Sequence, residues 1–433
     1  MLESEGEIII MIDLIKLLKE EKRINDYRII YEKLEDYELY YVHEKLETVR
    51  SVNTLKANVT IYVDNLDKRG DSFFDCYDYE TTDDIKTKLE RAISNASVIN
   101  NEYYELPADK NEAPKLVSNL QNKSLKENAF DIAEAVFNAL SDSKATLNAT
   151  EIFVYKKDIT LVNSKGINKS ETLYSAMIET IPTWTSDSDS FELYYSVTFT
   201  DFDKKDITKK VKEKLNEVEQ RSKALKPQSD LKVDVVLRNP EMSSLYYSII
   251  QSCSLSSKYN HINLYDKGTK IQKDPKFKLN IKMMGNLKGA SVNQEFDSDG
   301  ICMSEVSVVE DSVVKTQVGS LKMAYYLKEK ATGNLPNVEV EGSNVSEAEL
   351  KKEPYLEVVS MSGIQVDLYS DYIGGEIRLA YYFDGEKITP VTGISISGKI
   401  SENLETMIAS KETTIDEALK GPKIVRLNKM SIM

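Results

Sequence analysis

The sequence predicts an α+β fold: an N-terminal half of antiparallel strand meanders plus helices, then a C-terminal β-rich, barrel-like domain with short helices. Three observations predict it. Apolar residues recur at helical spacing in a few capped segments before Leu225. Between those segments, strand-forming residues come in short alternating runs. After Pro227 the runs are almost all strands, and Asp384-Gly385 joins two of them as the pair favoured in a tight type I′ hairpin turn.

The elements follow in order. Ile8 to Lys22 carries Ile9, Ile12, Ile15 and Leu18 on one helical face. Tyr27–Tyr31, Tyr37–Val42, Val59–Val63 and Ser72–Tyr77 read as strands of a meander. Asp83 to Ala96 is a helix with Thr82 as its cap and Ile85, Leu89 and Ile93 along one side. A first region, 1–107, ends at Pro107. A middle region, 108–228, which can share a domain with the first, opens on Ser124-Leu-Lys-Glu127, a capping-box spacing. Its helix runs to about Ser141 and buries Ala129, Ile132, Ala133, Val136, Phe137 and Leu140. Strands Ile152–Tyr155, Ile159–Val162 and Leu193–Phe199 follow, then a charged helix, Asp203 to Leu225, with a stripe of Ile207, Val211, Leu215 and Val218. Strands followed by helix thus occur twice, a weak internal repeat.

The C-terminal region, 229–433, begins with strand Val233–Leu237, and Asn239-Pro240 leads into a helix over Glu241–Cys253. Lys276–Ile281 and the pair Val306–Val309 and Val313–Val318 are strands. A helix over Leu321–Lys330 stops at Gly333. Ile377–Phe383 and Lys387–Val391 form the Asp-Gly hairpin. Strand Ile394–Ile400, a helix over Ser401–Ala409 and a strand over Lys423–Leu427 complete the chain.

Composition removes much chemistry. In 433 residues there are 2 His and 3 Cys, and His43, His261, Cys76, Cys253 and Cys302 lie scattered, whereas thiolate and imidazole zinc centres need grouped ligands. So few Cys argue against a disulfide scaffold and for a reducing compartment. The net charge of −15 with only nine Arg disfavours phosphate-backbone contact, so no nucleic acid is expected as a partner. The longest aliphatic run, Ile8 to Ile12, is far short of the ~20 apolar residues of a membrane span. It follows Glu3, Glu5 and Glu7, the wrong sign for a secretory leader, so a cytoplasmic protein without membrane contact is expected.

Three segments in order carry a resemblance. The first is Leu161-Val162-Asn163-Ser164-Lys165-Gly166. The second is Phe296-Asp297-Ser298-Asp299-Gly300, followed by a Val-rich hairpin, Lys322-Met323-Ala324 and Ala331-Thr332-Gly333-Asn334. The third runs from Gly374-Gly375-Glu376 through Asp384-Gly385 to Pro390-Val391-Thr392-Gly393 and Gly398. In this order and spacing the chain resembles the TldD/PmbA family, once called modulators of DNA gyrase and regarded as peptide-processing metalloproteases. In the TldD kind, an H-E-x-x-x-H helix after a Val-Val-Leu strand and a late Cys bind zinc, and the Glu serves as base on metal-bound water. Here the strand is Val235-Val236-Leu237, and the histidine positions fall near Tyr247 and Ser252, the glutamate near Ser248. The segment Leu419 to Arg426 has no Cys. The chain therefore resembles the PmbA kind, also called TldE. The resemblance implies a metal-free subunit in proteolytic processing or degradation of unfolded peptides, paired with a TldD-like zinc-bearing subunit or forming a homodimer. The alternative is a stand-alone peptide-binding or structural protein of the same fold.

No residue is expected to be catalytic, to bind a cofactor or to ligate a metal. His43 reads as a strand histidine and His261 as a loop residue. Glu295, Asp297, Asp299 and Gly300 have the first spacings of a calcium loop, but position twelve is Val306. Ser186-Asp187-Ser188-Asp189-Ser190 reads as a solvated loop. Cys253 reads as an inert buried thiol, and Trp184 as a core or cross-strand residue.

Overall fold

A computed structural model describes residues 14–108, 111–186, 189–227 and 230–433. Its first half is one nine-stranded sheet. In chain order the elements are β1 (Asp26–Val42), β2 (Lys45–Arg50), β3 (Asn53–Asn65), β4 (Lys68–Tyr77), α1 (Thr82–Val98), β5 (Asn101–Glu102) and α2 (Leu125–Phe137). β6 (Thr146–Asn163), β7 (Asn168–Thr185), β8 (Ser190–Glu192), β9 (Tyr195–Phe199) and α3 (Lys204–Lys223) follow. The strand order is β5-β4-β3-β1-β6-β7-β8, with β2 added to β1 and β9 to β7. β1 pairs antiparallel with β6 from Arg28↔Asn163 to Val42↔Ala149, so strands of the first and middle regions share one sheet.

The two strands expected at 27–31 and 37–42 are one, as are those at 152–155 and 159–162. The charged stretches between them stay in the sheet because they pair across it: Lys156 lies 3.1 Å from Glu35, and Lys157 3.4 Å from Glu32. The long strand β7 has no expected counterpart, and the expected Leu193–Phe199 strand is interrupted before Tyr195.

Helices cover one face of this sheet. α2 opens on the full Ser124–Glu127 capping box, while α1 is capped by Thr81, one residue before the expected cap. α3 is capped by Asp203 and buries Ile207, Val211, Leu215 and Val218, each contributing about 1.5–3 kcal/mol. Residues 14–20 are helical, with Leu14 and Leu18 packed beside Ile29 and Leu89; the expected start of that helix, with Ile9 and Ile12, lies outside the described residues. Of the Ser186–Ser190 run, Asp187 and Ser188 likewise lie outside them.

The second half holds β10 (Asp234–Arg238), α4 (Asn239–Ser252), α5 (Leu255–Tyr259), β11 (Ile281–Met284), β12 (Val306–Glu310), β13 (Val313–Val314), α6 (Leu321–Leu327), β14 (Asn337–Val340) and α7 (Glu347–Leu350). It ends with β15 (Tyr355–Asp367), β16 (Tyr372–Phe383), β17 (Ile388–Val391), β18 (Ile394–Gly398), α8 (Ile400–Thr406), β19 (Ile408–Ala409), β20 (Thr413–Asp416), β21 (Leu419–Pro422), β22 (Ile424–Leu427) and β23 (Met430–Ile432). An eight-stranded sheet, β19-β22-β10-β15-β16-β18-β23 with β17 on β16, curls into a half-barrel, and a six-stranded sheet, β13-β12-β11-β14-β21-β20, stands beside it. The largest core cluster lies between them, around Val235, Leu237, Ile249, Ile281, Val338 and Leu356.

Several expected boundaries move. Lys276–Asn280 is not a strand, although Phe277 and Leu279 are buried. The helix expected over Ser401–Ala409 ends at Thr406, because Ile408 and Ala409 pair with β22. The Asp384-Gly385 hairpin forms, but only Gly385 has positive φ (110°), so the turn is not type I′; the Asp384 carboxylate instead accepts the Glu386 and Lys387 N–H groups.

One buried charge organises the first half. Arg69, 1% exposed, donates to Asp64 (2.6 and 2.9 Å), to Asp26 (2.8 Å) and to the Tyr104 carbonyl (2.9 Å), and its guanidinium stacks 4.4 Å from the Tyr103 ring. Burial pushes the Asp26 carboxyl up, but hydrogen bonds from Ser164, Arg69 and Lys165 hold it below its ordinary value. Because Ser164 and Lys165 stand in the β6–β7 turn, the same carboxylate ties β1, β4 and that turn together. Replacing Arg69 by Met leaves Asp26 buried without its main partner, and is expected to lower unfolding free energy by about 3–5 kcal/mol. Urea denaturation at neutral pH measures the loss.

Candidate functional site

The helix expected to hold the family's metal position is α4. Pro240 sits in its first turn, where a missing N–H costs nothing. Met242, Leu245, Tyr246, Ile249 and Ile250 face the core. The opposite side presents Ser243, Tyr247, Ser248 and Gln251. Its start is fixed against β21: Asn239 Nδ2 donates to the Leu419 carbonyl at 3.3 Å, and a Cβ at Gly421 would lie 2.5 Å from Asn239 Oδ1, so only glycine fits there. The start of α4 and the Leu419–Gly421 part of β21 therefore lie side by side.

The side chains at this place do not fit a zinc ion. Ser248 Oγ donates to the Ser244 carbonyl (2.7 Å), and Ser252, 6% exposed, accepts the Leu264 N–H at 2.8 Å. Tyr247 is half-exposed, and burial together with Asp416 and Glu417 raises its phenol, so it stays protonated. No imidazole or thiolate stands here, and Leu419 to Arg426 contributes Gly421, Pro422 and two lysines instead. Cys253 is buried against the core, which pushes its thiol up to about 12. The charged groups near Tyr247 are Asp416, raised by burial and partly offset by Lys210 and Lys214, and Glu417.

The remaining sequence candidates are placed apart. His43 is exposed in the β1–β2 turn at φ 53° rather than within a strand, and His261 is exposed at φ 58° after α5. In the Phe296–Gly300 loop, Asp297 Oδ1 accepts the Asp299 and Ile301 N–H groups, Asp299 pairs with Arg28, and Glu295 lies 3.8 Å from Lys115. A Cβ at Gly333 would lie 3.3 Å from Asp297 Oδ2, so the second pair of family segments meets in space. Among the described residues no three His, Cys, Asp or Glu side chains stand close enough to share a metal ion. Trp184 is a cross-strand partner of Phe191.

Sequence reading missed a cleft of about 420 Å³ between the uncovered face of the first sheet and the segment Ser291–Gln294. Leu34, Tyr155, Ile159 and Leu173 line its sheet side, with the Glu32–Lys157 pair among them. Alternation along Phe153, Tyr155, Lys157 and Ile159 was the available signal for this face, but nothing local shows that a segment 130 residues later lies over it.

Beside the cleft, Glu171 joins the two halves. It is 4% exposed, and its Oε2 accepts the Glu295 N–H at 2.8 Å. Burial, with Glu295 nearby, pushes its carboxyl from 4.5 to about 7. The native state therefore keeps a proton between those values that the unfolded chain has released, so Glu171 makes stability fall as pH rises through this window. Glu171→Gln, which keeps an acceptor for Glu295, is expected to flatten that decline and to gain on the order of 2 kcal/mol at pH near 8. Denaturation midpoints of both proteins across the window test it; an unchanged slope contradicts it.

Comparison with known proteins adds to this geometry. Residues 231–433 match the PmbA/TldA metallopeptidase C-terminal domain. No curated protein matches the chain. Three solved structures share the fold along its whole length. A candidate modulator of a DNA gyrase from Thermotoga maritima is 16% identical, with TM-score 0.80 over 98% of this chain and 100% of that one. TldE from Thermococcus kodakarensis is 14% identical, with TM-score 0.80 over 98% and 99%. A candidate modulator of DNA gyrase from Bacteroides thetaiotaomicron is 14% identical, with TM-score 0.81 over 100% and 99%. At these identities the likeness concerns the fold. Residues 231–433 are thus a C-terminal domain of the TldD/PmbA family, in a chain that shares the fold of these structures throughout.

Proposed function

We propose that this chain is a PmbA/TldE-like subunit of a TldD/PmbA-type peptidase system, without a zinc site of its own. One observation carries the reading. At the three α4 positions where the TldD kind has His, Glu and His, this chain has Tyr247, Ser248 and Ser252, and the two serine hydroxyls are already bound to backbone groups. The fold shared with TldE of Thermococcus kodakarensis supports the same kind. On this reading the chain works in the cytoplasm, holds an unfolded peptide in extended form by strand pairing, and presents it to a TldD-like partner that supplies the metal. The metal would provide the activated water; this chain's residues would bind and orient the peptide.

Purified alone, the chain is expected to leave an unfolded polypeptide such as reduced, alkylated casein intact. Co-expressed with a TldD-like chain, it is expected to co-elute as one complex that cleaves casein and loses activity with chelator. Chelator-sensitive cleavage by the chain alone overturns the proposal. Peptide binding without complex formation or cleavage favours the stand-alone peptide-binding alternative.

A further inference from the structure

The cleft beside Ser291–Gln294 has two kinds of wall. Its sheet wall is apolar and aromatic at Leu34, Tyr155 and Leu173, with the small Ser175 between them. From Tyr155 an aromatic row continues over the open sheet face: Phe153 stacks on Tyr155 at 6.2 Å, and Tyr40 meets Phe153 edge-on at 5.8 Å. The opposite wall is the segment Ser291–Gln294 with Thr200. Ser291 and Gln294 are held in place by N–H bonds to the Glu417 and Gly285 carbonyls, and Asn293 Oδ1 accepts the Leu287 N–H. Between these anchors, the N–H groups of Val292 and Asn293 and the carbonyls of Ser291 and Asn293 have no hydrogen-bond partner among the described residues. The segment is partly exposed, so these main-chain groups are open to pairing from outside the chain.

From this juxtaposition we infer that the cleft is a side-chain pocket for a large apolar residue, Leu or Phe, of an extended peptide whose backbone pairs with Val292 and Asn293. The inference rests on the proposed peptide-holding role and deepens it: it supplies the place and the side-chain preference. An extended main chain offers donors and acceptors to pair with these groups, while its alternate side chains point to either side. A cleft of about 420 Å³ accommodates one bulky side chain with its flanking backbone. Acidic guests are disfavoured by loss of solvation against Leu34 and Leu173, and Ala leaves the pocket unfilled.

The test is fluorescence anisotropy of the full chain with dye-labelled unstructured peptides that differ at one guest position: Phe, Leu, Ala or Asp. Phe and Leu guests are expected to bind about tenfold tighter than Ala and Asp, within the range that a few methylenes give. Ser175→Phe, which fills the pocket from the sheet side, is expected to remove the preference while peptides still bind. Val292→Pro, which deletes one N–H, is expected to weaken all guests alike by about fivefold. Leu173→Ala, a milder change on the same wall, probes the pocket independently if Ser175→Phe does not fold: the Phe and Leu advantage should shrink. Equal binding of all guests, or a preference untouched by Ser175→Phe and Leu173→Ala, overturns the pocket and leaves the peptide-holding role standing. Binding of no guest at all overturns both.

Discussion

Arg69 is the charge that the first half of this molecule cannot leave uncompensated. A guanidinium 1% exposed is tolerable only where carboxylates and carbonyls surround it, and the chain meets that demand from several directions. Asp26 comes from the start of β1, Asp64 from the end of β3, and the Tyr104 carbonyl from the segment leaving β5. Asp26 in turn gathers Ser164 and Lys165 of the β6–β7 turn. The next residue inward, Asn163, closes that turn by accepting the Lys165 and Ile167 N–H groups and donating to Pro107. The register of the central strand pair and the path of the chain after β5 both follow from this one centre.

The centre also reaches the second half. The turn fixed by Asn163 presents Ile167 and Leu161 to Gly300, whose missing side chain leaves room for them, and Lys169 donates to the Gly300 carbonyl at 2.8 Å. Arg28, two residues along β1 from Asp26, pairs with Asp299. Further along the contact between halves, Arg238 bridges Glu217 of α3 and Glu357 of β15 at 3.0 Å each, directly before α4 begins. The start of α4 is therefore set in place by Arg238, which pairs with a carboxylate of each half. What stands there is a set of hydroxyl groups bound to the backbone, with a raised acid and two lysines nearby. On the proposed reading, such a place would hold or orient a chain, with the metal supplied by a partner subunit.

Much of this was legible in the sequence, and the rest was hidden for physical reasons. The α3 stripe and the Ser124 capping box read correctly because helical periodicity and caps are local. The Asn163–Gly166, Phe296–Gly300 and Ala331–Asn334 segments were recognisable because each is a turn whose side chains or glycines are required by close contact. Long strands were cut in two at Glu32–Asp36 and Lys156–Asp158, since a charged run resembles a loop until its cross-strand partner is known. β7 and β15 escaped notice because polar residues on the open face break the apolar alternation. The positions Tyr247, Ser248 and Ser252 could be named only through the family resemblance, by their distance from Val235-Val236-Leu237. That Ser252 is engaged by Leu264, and that Ser291–Gln294 faces an aromatic sheet surface, depends on contacts outside the helix or strand that carries each residue.

The central claim is that this member of the family keeps the fold and the peptide-holding architecture without binding zinc at α4. The most direct measurement is metal content by mass spectrometry of the chain expressed with added zinc, purified without chelator and then dialysed against micromolar zinc. The account predicts far less than one zinc per chain, unchanged by Tyr247→Phe or Ser252→Ala. One tightly held zinc per chain, lost on substituting Tyr247 or Ser252, would contradict it.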